Sequence, residues 1–254
     1  MTRILAVTLG NSTASLALAT DGCLGEVLRV PVGKLDGLKE GFAGVRAGAS
    51  GGREVPVVVA SVNPPALEQF RRLAANLAQK LPEVAGVDFP IPLKADVEEP
   101  AKVGADRLLG ALAAWRRAAG ACVSVDCGTA ITVNAVTADG EFAGGAILPG
   151  PDLMARALGE GTALLPAAPL KDNPPPLGRN TAEAISAGVL RGAAGAVAAL
   201  VTGARIGLGP KAPVFMTGGG AERIRAFLPP DFGQIVPTLV LEGLVIAYRE
   251  WLTR

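Results

Sequence analysis

ACVSVDCGTAITVNAVTADGEFAGGAILPG, residues 121–150, reads as three strands and two turns. Val123 and Val125 alternate with Ser124 and Asp126, the period of a half-buried strand. Gly128-Thr129 breaks that run, and Ile131–Ala135 starts alternating again. Asp139-Gly140 then signals a tight turn before a third strand over Phe142–Leu148. Asp126 thus closes a strand beside a turn whose backbone N–H groups can face an anion. A carboxylate next to an anion cradle makes sense when a cation lies between them, so this stretch is expected to serve a nucleotide.

The same pattern opens the chain. Arg3–Thr20 is strand, Gly10-Asn11-Ser12 turn and strand, and Asp21-Gly22 leads into Leu24–Val32. Thr8 and Asp126, Gly10 and Gly128, Asp21 and Asp139, and Gly22 and Gly140 are all 118 positions apart. This is an internal duplication, superimposing without a gap. Two α/β halves that each begin with an antiparallel meander imply a duplicated ribonuclease-H-like fold with mixed sheets. The halves are expected at 1–119 and 120–254, with a nucleotide cleft between them.

The intervening segments complete each half. Gly33–Arg53 is expected to hold a short helix between loops, and Val55–Ser61 a strand. Ala66–Lys80 has helical spacing, with Leu67, Phe70, Leu73, Leu77 and Leu81 on one face. Val87–Leu93 is at best a proline-interrupted strand, and Ala95–Ala101 an acidic loop. Gly104–Ala119 is a helix stopped by Gly120. In the second half, Leu153–Leu158, Thr181–Gly203, Glu222–Leu228 and Thr238–Leu252 read as helices. Pro166–Gly178 is a proline-rich loop, and Val214–Met216 a strand.

Composition removes several function classes. The 254 residues are 50% hydrophobic and 19% charged, enough to bury a core, with a formal net charge of +1. No Lys/Arg run marks a nucleic-acid arm, and Arg71-Arg72 and Arg116-Arg117 suit solvated helix faces. No apolar run of bilayer length and no signal peptide is read, so neither membrane nor nucleic acid is an expected partner. Cys23, Cys122 and Cys127 lack C-x-x-C spacing and read as thiols of a reducing compartment, making a cytoplasmic protein the expectation. There is no histidine, so Ser-His-Asp catalysis and His-ligated zinc are excluded. A general base must be a carboxylate, Lys, Tyr or Cys.

Four stretches remain as candidate chemistry. The Gly10–Thr13 and Gly128–Ala130 turns are ordinary hairpin signals singly and a phosphate-binding pair together. Thr217-Gly218-Gly219-Gly220 follows a strand and precedes a helix; it suits either a tight turn or a close approach by base or ribose. Gly104-Ala105-Asp106-Arg107 opens a helix. Dipole stabilisation explains Asp106 there, but not Arg107, whose charge is mildly unfavourable in a first turn. Asp106 as base and Arg107 as substrate anchor account for both. Asn180-Thr181-Ala182-Glu183 has capping-box spacing, which leaves the Thr181 hydroxyl able to meet a ligand.

Together these residues resemble the type III pantothenate kinase family of the actin-like ATPase superfamily. The likeness runs through Gly10-Asn11-Ser12, Val103–Arg107, Val125–Ala130, Gly144–Gly150, Thr162–Pro166, Asn180-Thr181, Thr217–Gly219 and Leu241–Leu244. It implies phosphorylation of pantothenate to 4'-phosphopantothenate by ATP, the first step of coenzyme A synthesis. The implied protein is a homodimer using magnesium with ATP and a monovalent cation, potassium or ammonium. By resemblance, Asp106 is the proton acceptor, and Val97, Gly104, Ala105, Asp106, Arg107 and Thr181 meet pantothenate. Thr8, Leu9, Gly10, Asn11, Ser12, Thr13, Ala14 and Ser15 form the first phosphate loop. Thr129, Gly218 and Gly219 contact ATP, and Asp126 ligates the monovalent cation.

Two positions depart from the family. Its first loop begins with a metal-holding Asp where this chain has Thr8, and the duplication agrees, since Thr8 is the counterpart of Asp126. A substrate-contacting Tyr falls on Val97. These changes imply an alternative: a kinase-fold protein that binds nucleotide or pantothenate, or regulates, with weakened turnover.

Overall fold

Arg3–Leu9 forms the strand β1, whose side chains are buried on both faces from Ile4 to Val7. A continuous apolar run of this kind needs cover on each side. The structure is a computed structural model that describes residues 2–42, 55–78, 81–167 and 169–253. β2 (Thr13–Thr20) and β3 (Cys23–Pro31) follow antiparallel, β4 (Val57–Ser61) lies parallel to β1, and β5 (Glu83–Val84) lies outside it. Helix α1 is Pro64–Ala78, capped by Asn63, whose Oδ1 accepts the Ala66 N–H (3.1 Å). It begins two residues before the expected Ala66, because proline is well tolerated in a helix's first turn.

β6 (Lys94–Ala95) and α2 (Ala105–Ala118) lead to the second sheet. There β7 (Cys122–Cys127), β8 (Ala130–Val136) and β9 (Glu141–Pro149) repeat the meander. Helices α3 (Pro151–Gly161) and α4 (Thr181–Leu208) follow, then β10 (Val214–Thr217), α5 (Ala221–Arg225), β11 (Gln234–Ile235) and α6 (Leu239–Leu252). The sheet orders are β3-β2-β1-β4-β5 and β9-β8-β7-β10-β11, with β6 added beside β9. The two orders match strand for strand, which is the duplicated fold.

The register corrects one detail of the duplication. β1 pairs Leu9 with Ala14, whereas β7 pairs Cys127 with Ile131, so the first copy's opening turn is one residue longer. β2 therefore matches β8 at an offset of 117, and from Ala14 and Ile131 onward their burial patterns coincide. The longer second turn of the second copy, between Val136 and Glu141, restores 118 for β3 and β9. Both copies carry a bulge at the same place, between Ala17 and Ala19 and between Asn134 and Val136.

The chain forms two compact units. The first comprises Met1–Lys94, Glu99–Ala113 and Thr238–Arg254; the second comprises Ala95–Glu98 and Ala114–Pro237. These differ from the linear division at 119/120 in one large respect. The closing helix α6 buries Leu241, Leu244, Val245 and Tyr248 and packs on β1 and β4 of the first unit. Its apolar stripe covers the face of β1 that α1 does not. Tyr248 Oη donates to Glu83 Oε1 (2.8 Å) within that unit, and burial, helped by this carboxylate, pushes the phenol pKa up.

Smaller expectations also change. Val87–Leu93 is a turn carrying a single bridge from Ala85 to Phe89, with Gly86 at φ +80°. Leu81 is exposed and outside α1. Val32–Leu38 is a 3-10 turn, while residues 43–53 of the Gly33–Arg53 stretch expected to hold a short helix lie outside the described residues. α4 continues five residues past Gly203. By length and composition α4 could cross a bilayer, contrary to the sequence reading, but Val189, Leu190, Ala193, Val197 and Val201 are buried in the second unit. It is a core helix there, packed on β7 and β8.

Candidate active site

In the first unit, the expected residues gather where β1 and β4 end. The turn after β1 is closed by the Gly10 N–H donating to Thr13 O (3.0 Å), which leaves Asn11, Ser12 and Thr13 exposed. Leu9 and Ala14 point into the core, so any contact from them to a ligand is made by main chain. Asn63 ties this turn to α1, donating from Nδ2 to Gly10 O (3.4 Å) while its Oδ1 caps the helix. The sequence reading missed Asn63, although asparagine before Pro-Pro is itself an N-cap signal.

Asp106 and Arg107 stand in the first turn of α2, beside the end of β4. Val62 N–H donates to Leu9 O (3.2 Å), and Gly104 abuts Val62. A Cβ on Gly104 would stand 2.6 Å from Asp106 Oδ1 and 3.6 Å from Val62 Cγ1. The glycine is what lets the carboxylate fold back against the chain. Asp106 Oδ1 accepts the Arg107 N–H (2.8 Å). Burial raises the Asp106 pKa, opposed by that hydrogen bond and by the Arg107 charge. Burial likewise lowers the Arg107 pKa, opposed by Asp106. Desolvation makes this carboxylate a stronger base than a surface aspartate, and the neighbouring guanidinium charge works against that.

In the second unit, Asp126 ends β7 and is packed round by glycines. Gly218 (φ +88°) lies against it: a Cβ there would meet the Asp126 carboxylate and stand 2.6 Å from the Cys127 carbonyl carbon. Gly220 N–H donates to Cys127 O (2.8 Å). Gly150, the N-cap of α3, donates to Thr129 O (2.9 Å), and a Cβ there would stand 2.7 Å from that oxygen. No side chain larger than hydrogen fits at Gly150 or Gly218 without moving the Gly128-Thr129 turn or the end of β7. Gly219 and Thr129 remain exposed. Cys127 is buried, and burial with the Asp126 charge pushes its thiol up to about 12, so it is no nucleophile.

Thr181 and Val97 belong to this unit but to other elements. Thr181 is the exposed first residue of α4, with Asn180 Oδ1 accepting Glu183 N–H (3.0 Å). Glu183 Oε2 accepts from Arg179 N–H (3.0 Å), one residue upstream of the expected reciprocal partner. Val97 is half-buried against Gly144 of β9, 3.8 Å from where a Cβ would be. A groove of about 420 Å³ on the first unit, between Leu35, Asp36, Lys39 and the α1 residues Gln69, Arg72 and Leu73, contains none of the expected residues.

The donor sets suit the two cations differently. The Asp126 carboxylate offers a hard oxygen, the chemistry a potassium-like ion takes. At the end of β1 the side-chain oxygens are neutral: Thr8 there, and Ser61 and Asn63 from β4 onward. Among the described residues no group of three Asp, Glu or Cys could hold a metal ion. A resident divalent site does not fit the first loop as built.

A family model for type III pantothenate kinase matches residues 4–203. The chain belongs to that family. A type III pantothenate kinase from Thermomicrobium roseum is 38% identical over 205 residues, covering 80% of this chain and 78% of its own. One from Dehalococcoides mccartyi is 33% identical over 253 residues, 97% and 95% of the two chains. Among solved structures, a Campylobacter jejuni protein assigned to the Baf family of transcriptional activators superposes with a TM-score of 0.64 at 18% identity, covering 99% of this chain and all of its own. At that identity it speaks for the fold alone.

Proposed function

We propose that this type III pantothenate kinase chain moves the terminal phosphoryl group of ATP onto the terminal hydroxyl of pantothenate, with Asp106 as proton acceptor. The observation that carries the residue assignment is the Gly104–Arg107 turn, where a half-buried carboxylate and a guanidinium share one helix start. The hydroxyl proton passes to Asp106 as the hydroxyl oxygen bonds to the γ-phosphorus. The bond from that phosphorus to the bridging oxygen breaks, and ADP leaves. Phosphoryl transfer asks the protein mainly for positioning and charge. Arg107 is suited to pairing with the pantothenate carboxylate. The exposed Gly10–Thr13 turn, including Asn11 and Ser12, holds phosphates through backbone N–H groups, while Thr129, Gly218 and Gly219 meet the nucleotide. Thr181 and Val97 contact substrate, Val97 by apolar contact only. Asp126 ligates a monovalent cation, and the working form is a homodimer; these two statements rest on the family resemblance. The reading of a non-catalytic binding protein has only Thr8 and Val97 behind it, whereas Asp106, Arg107 and Asp126 are all retained.

The test is a coupled assay for ADP release with ATP, magnesium, potassium and pantothenate. Release that depends on pantothenate is expected, and none above background would sink the kinase assignment. Replacing potassium by sodium should slow the wild type, and Asp126→Asn should abolish that difference. A variant that still responds to potassium would remove Asp126 from the cation site.

A further inference from the structure

The end of β1 in the first unit and the end of β7 in the second are the same place in two copies of one fold. The second copy places Asp126 there, backed by Gly218. The first places Thr8, paired with Ser15 on β2 and Ala60 on β4. Among the described residues of the first unit, no carboxylate replaces it in the strand register. Asp21 lies at the other end of the hairpin, beyond the whole of β2. Asp106 has one oxygen engaged by Arg107 N–H, and a carboxylate that must take a proton is poorly used as a permanent metal ligand. What remains around the loop among the described residues carries no carboxylate: Thr8, Ser15, Ser61 and Asn63, with the cation Arg29 beyond Ser15 on β3. Of these, Ser61 Oγ and Asn63 Oδ1 already serve the turn into α1, the first accepting Asn63 N–H (3.1 Å) and the second capping the helix.

We infer that this chain holds no divalent ion of its own at the first phosphate loop, and takes the ion in only as part of the ATP complex. Magnesium dehydrates reluctantly, and its kinase sites combine one or two protein carboxylates with substrate phosphates. With no protein carboxylate, phosphates and water must supply the ligands. The protein then reads the triphosphate through the Gly10–Thr13 backbone, not through a shared ion. This inference rests on the nucleotide reading of the loop, and it predicts an unusual independence of nucleotide affinity from divalent ions.

Manganese titration of the nucleotide-free protein, followed by electron paramagnetic resonance, tests it without nucleotide or turnover, so its failure is separate from failure of the kinase assignment. No saturable site tighter than about 1 mM that survives Asp126→Asn is expected, the weak end of the range carboxylate count sets for hard cations. Thr8→Asp is expected to create one site at least about tenfold tighter, and the neutral Thr8→Asn to create none. ADP binding by calorimetry should change less than about threefold between magnesium and EDTA, well under the 1.4 kcal/mol of a tenfold effect. One micromolar manganese site in wild type that persists in Asp126→Asn would overturn the inference, as would a tenfold or larger loss of ADP affinity in EDTA. A manganese site lost in Asp126→Asn belongs to the second unit and supports it. A folded Thr8→Asp protein that binds no manganese would overturn the assignment of the deficit to position 8.

Discussion

Asp106→Asn is expected to lower kcat by about 10²–10⁴, the usual worth of a positioned general base, while raising the melting temperature at neutral pH. The two effects have one cause. Burial lifts the Asp106 pKa above its unfolded value, so the charged form is disfavoured by folding. A carboxylate raised in this way contributes stability that is complete below its unfolded pKa and lost as the pH rises through its folded pKa. Asparagine keeps the acceptor for Arg107 N–H but cannot ionise. Its stabilising effect should therefore be largest at neutral and alkaline pH and disappear in acid, where wild-type Asp106 is itself protonated. Melting curves across that range check the sign. The wild-type kcat/KM should fall on its acid limb at a pKa above that of an ordinary aspartate, and the variant should lose that limb. An unchanged kcat would remove Asp106 from the chemistry. A melting shift independent of pH would show that burial of charge is not what the carboxylate costs.

Gly243→Ala should be the most damaging small substitution in the first unit. Gly243 of α6 packs directly on α2: a Cβ there would meet the Leu109 carbonyl oxygen and stand 2.6 Å from its carbonyl carbon. The obstacle is backbone, so relief requires the helices to separate. Overpacking of this kind costs about 1–3 kcal/mol, sometimes more, and each kcal/mol lowers the melting temperature by about 2–4 °C in a protein this size. Because Asp106 and Arg107 sit in the first turn of α2, displacement of that helix should lower kcat as well. Gly207→Ala on α4 is the control, since a Cβ there meets nothing within 4 Å. It should be neutral or stabilise by about 0.5–1 kcal/mol through helix propensity. Equal melting temperatures for Gly243→Ala and wild type would mean α2 and α6 are not locked at this contact.

The duplication was readable because strand alternation and glycine turns are local signals that repeat in register. Its one-residue slip was not, because a longer first turn and a shorter second one cancel over the meander and leave the outer landmarks 118 apart. Asp106 and Arg107 stood out by the mismatch between an arginine and a helix start, which is a local electrostatic argument. Gly150 and Gly218 needed the fold, since what forbids a side chain there is a segment distant in sequence: the Gly128-Thr129 turn for one and Asp126 with Cys127 for the other. The placement of α6 was also illegible. Its apolar stripe says that it must be covered, not by which sheet, and only the three-dimensional structure sends it back to β1. Short strands such as β5, β6 and β11, two residues each, carry too little pattern to be seen at all.

That return of α6 has a consequence for how the protein is made. Chains usually fold their N-terminal parts first as they leave the ribosome. Here Ala114–Pro237 is complete in sequence before Thr238–Arg254 has been synthesised, while β1 and β4, translated earliest, still lack the helix that covers them. The second unit can therefore close first, and the first must wait with an apolar sheet face uncovered until Thr238–Arg254 emerges. A stop codon just after Pro237 would spare every residue of the sequence-predicted site and still leave the first unit without its cover.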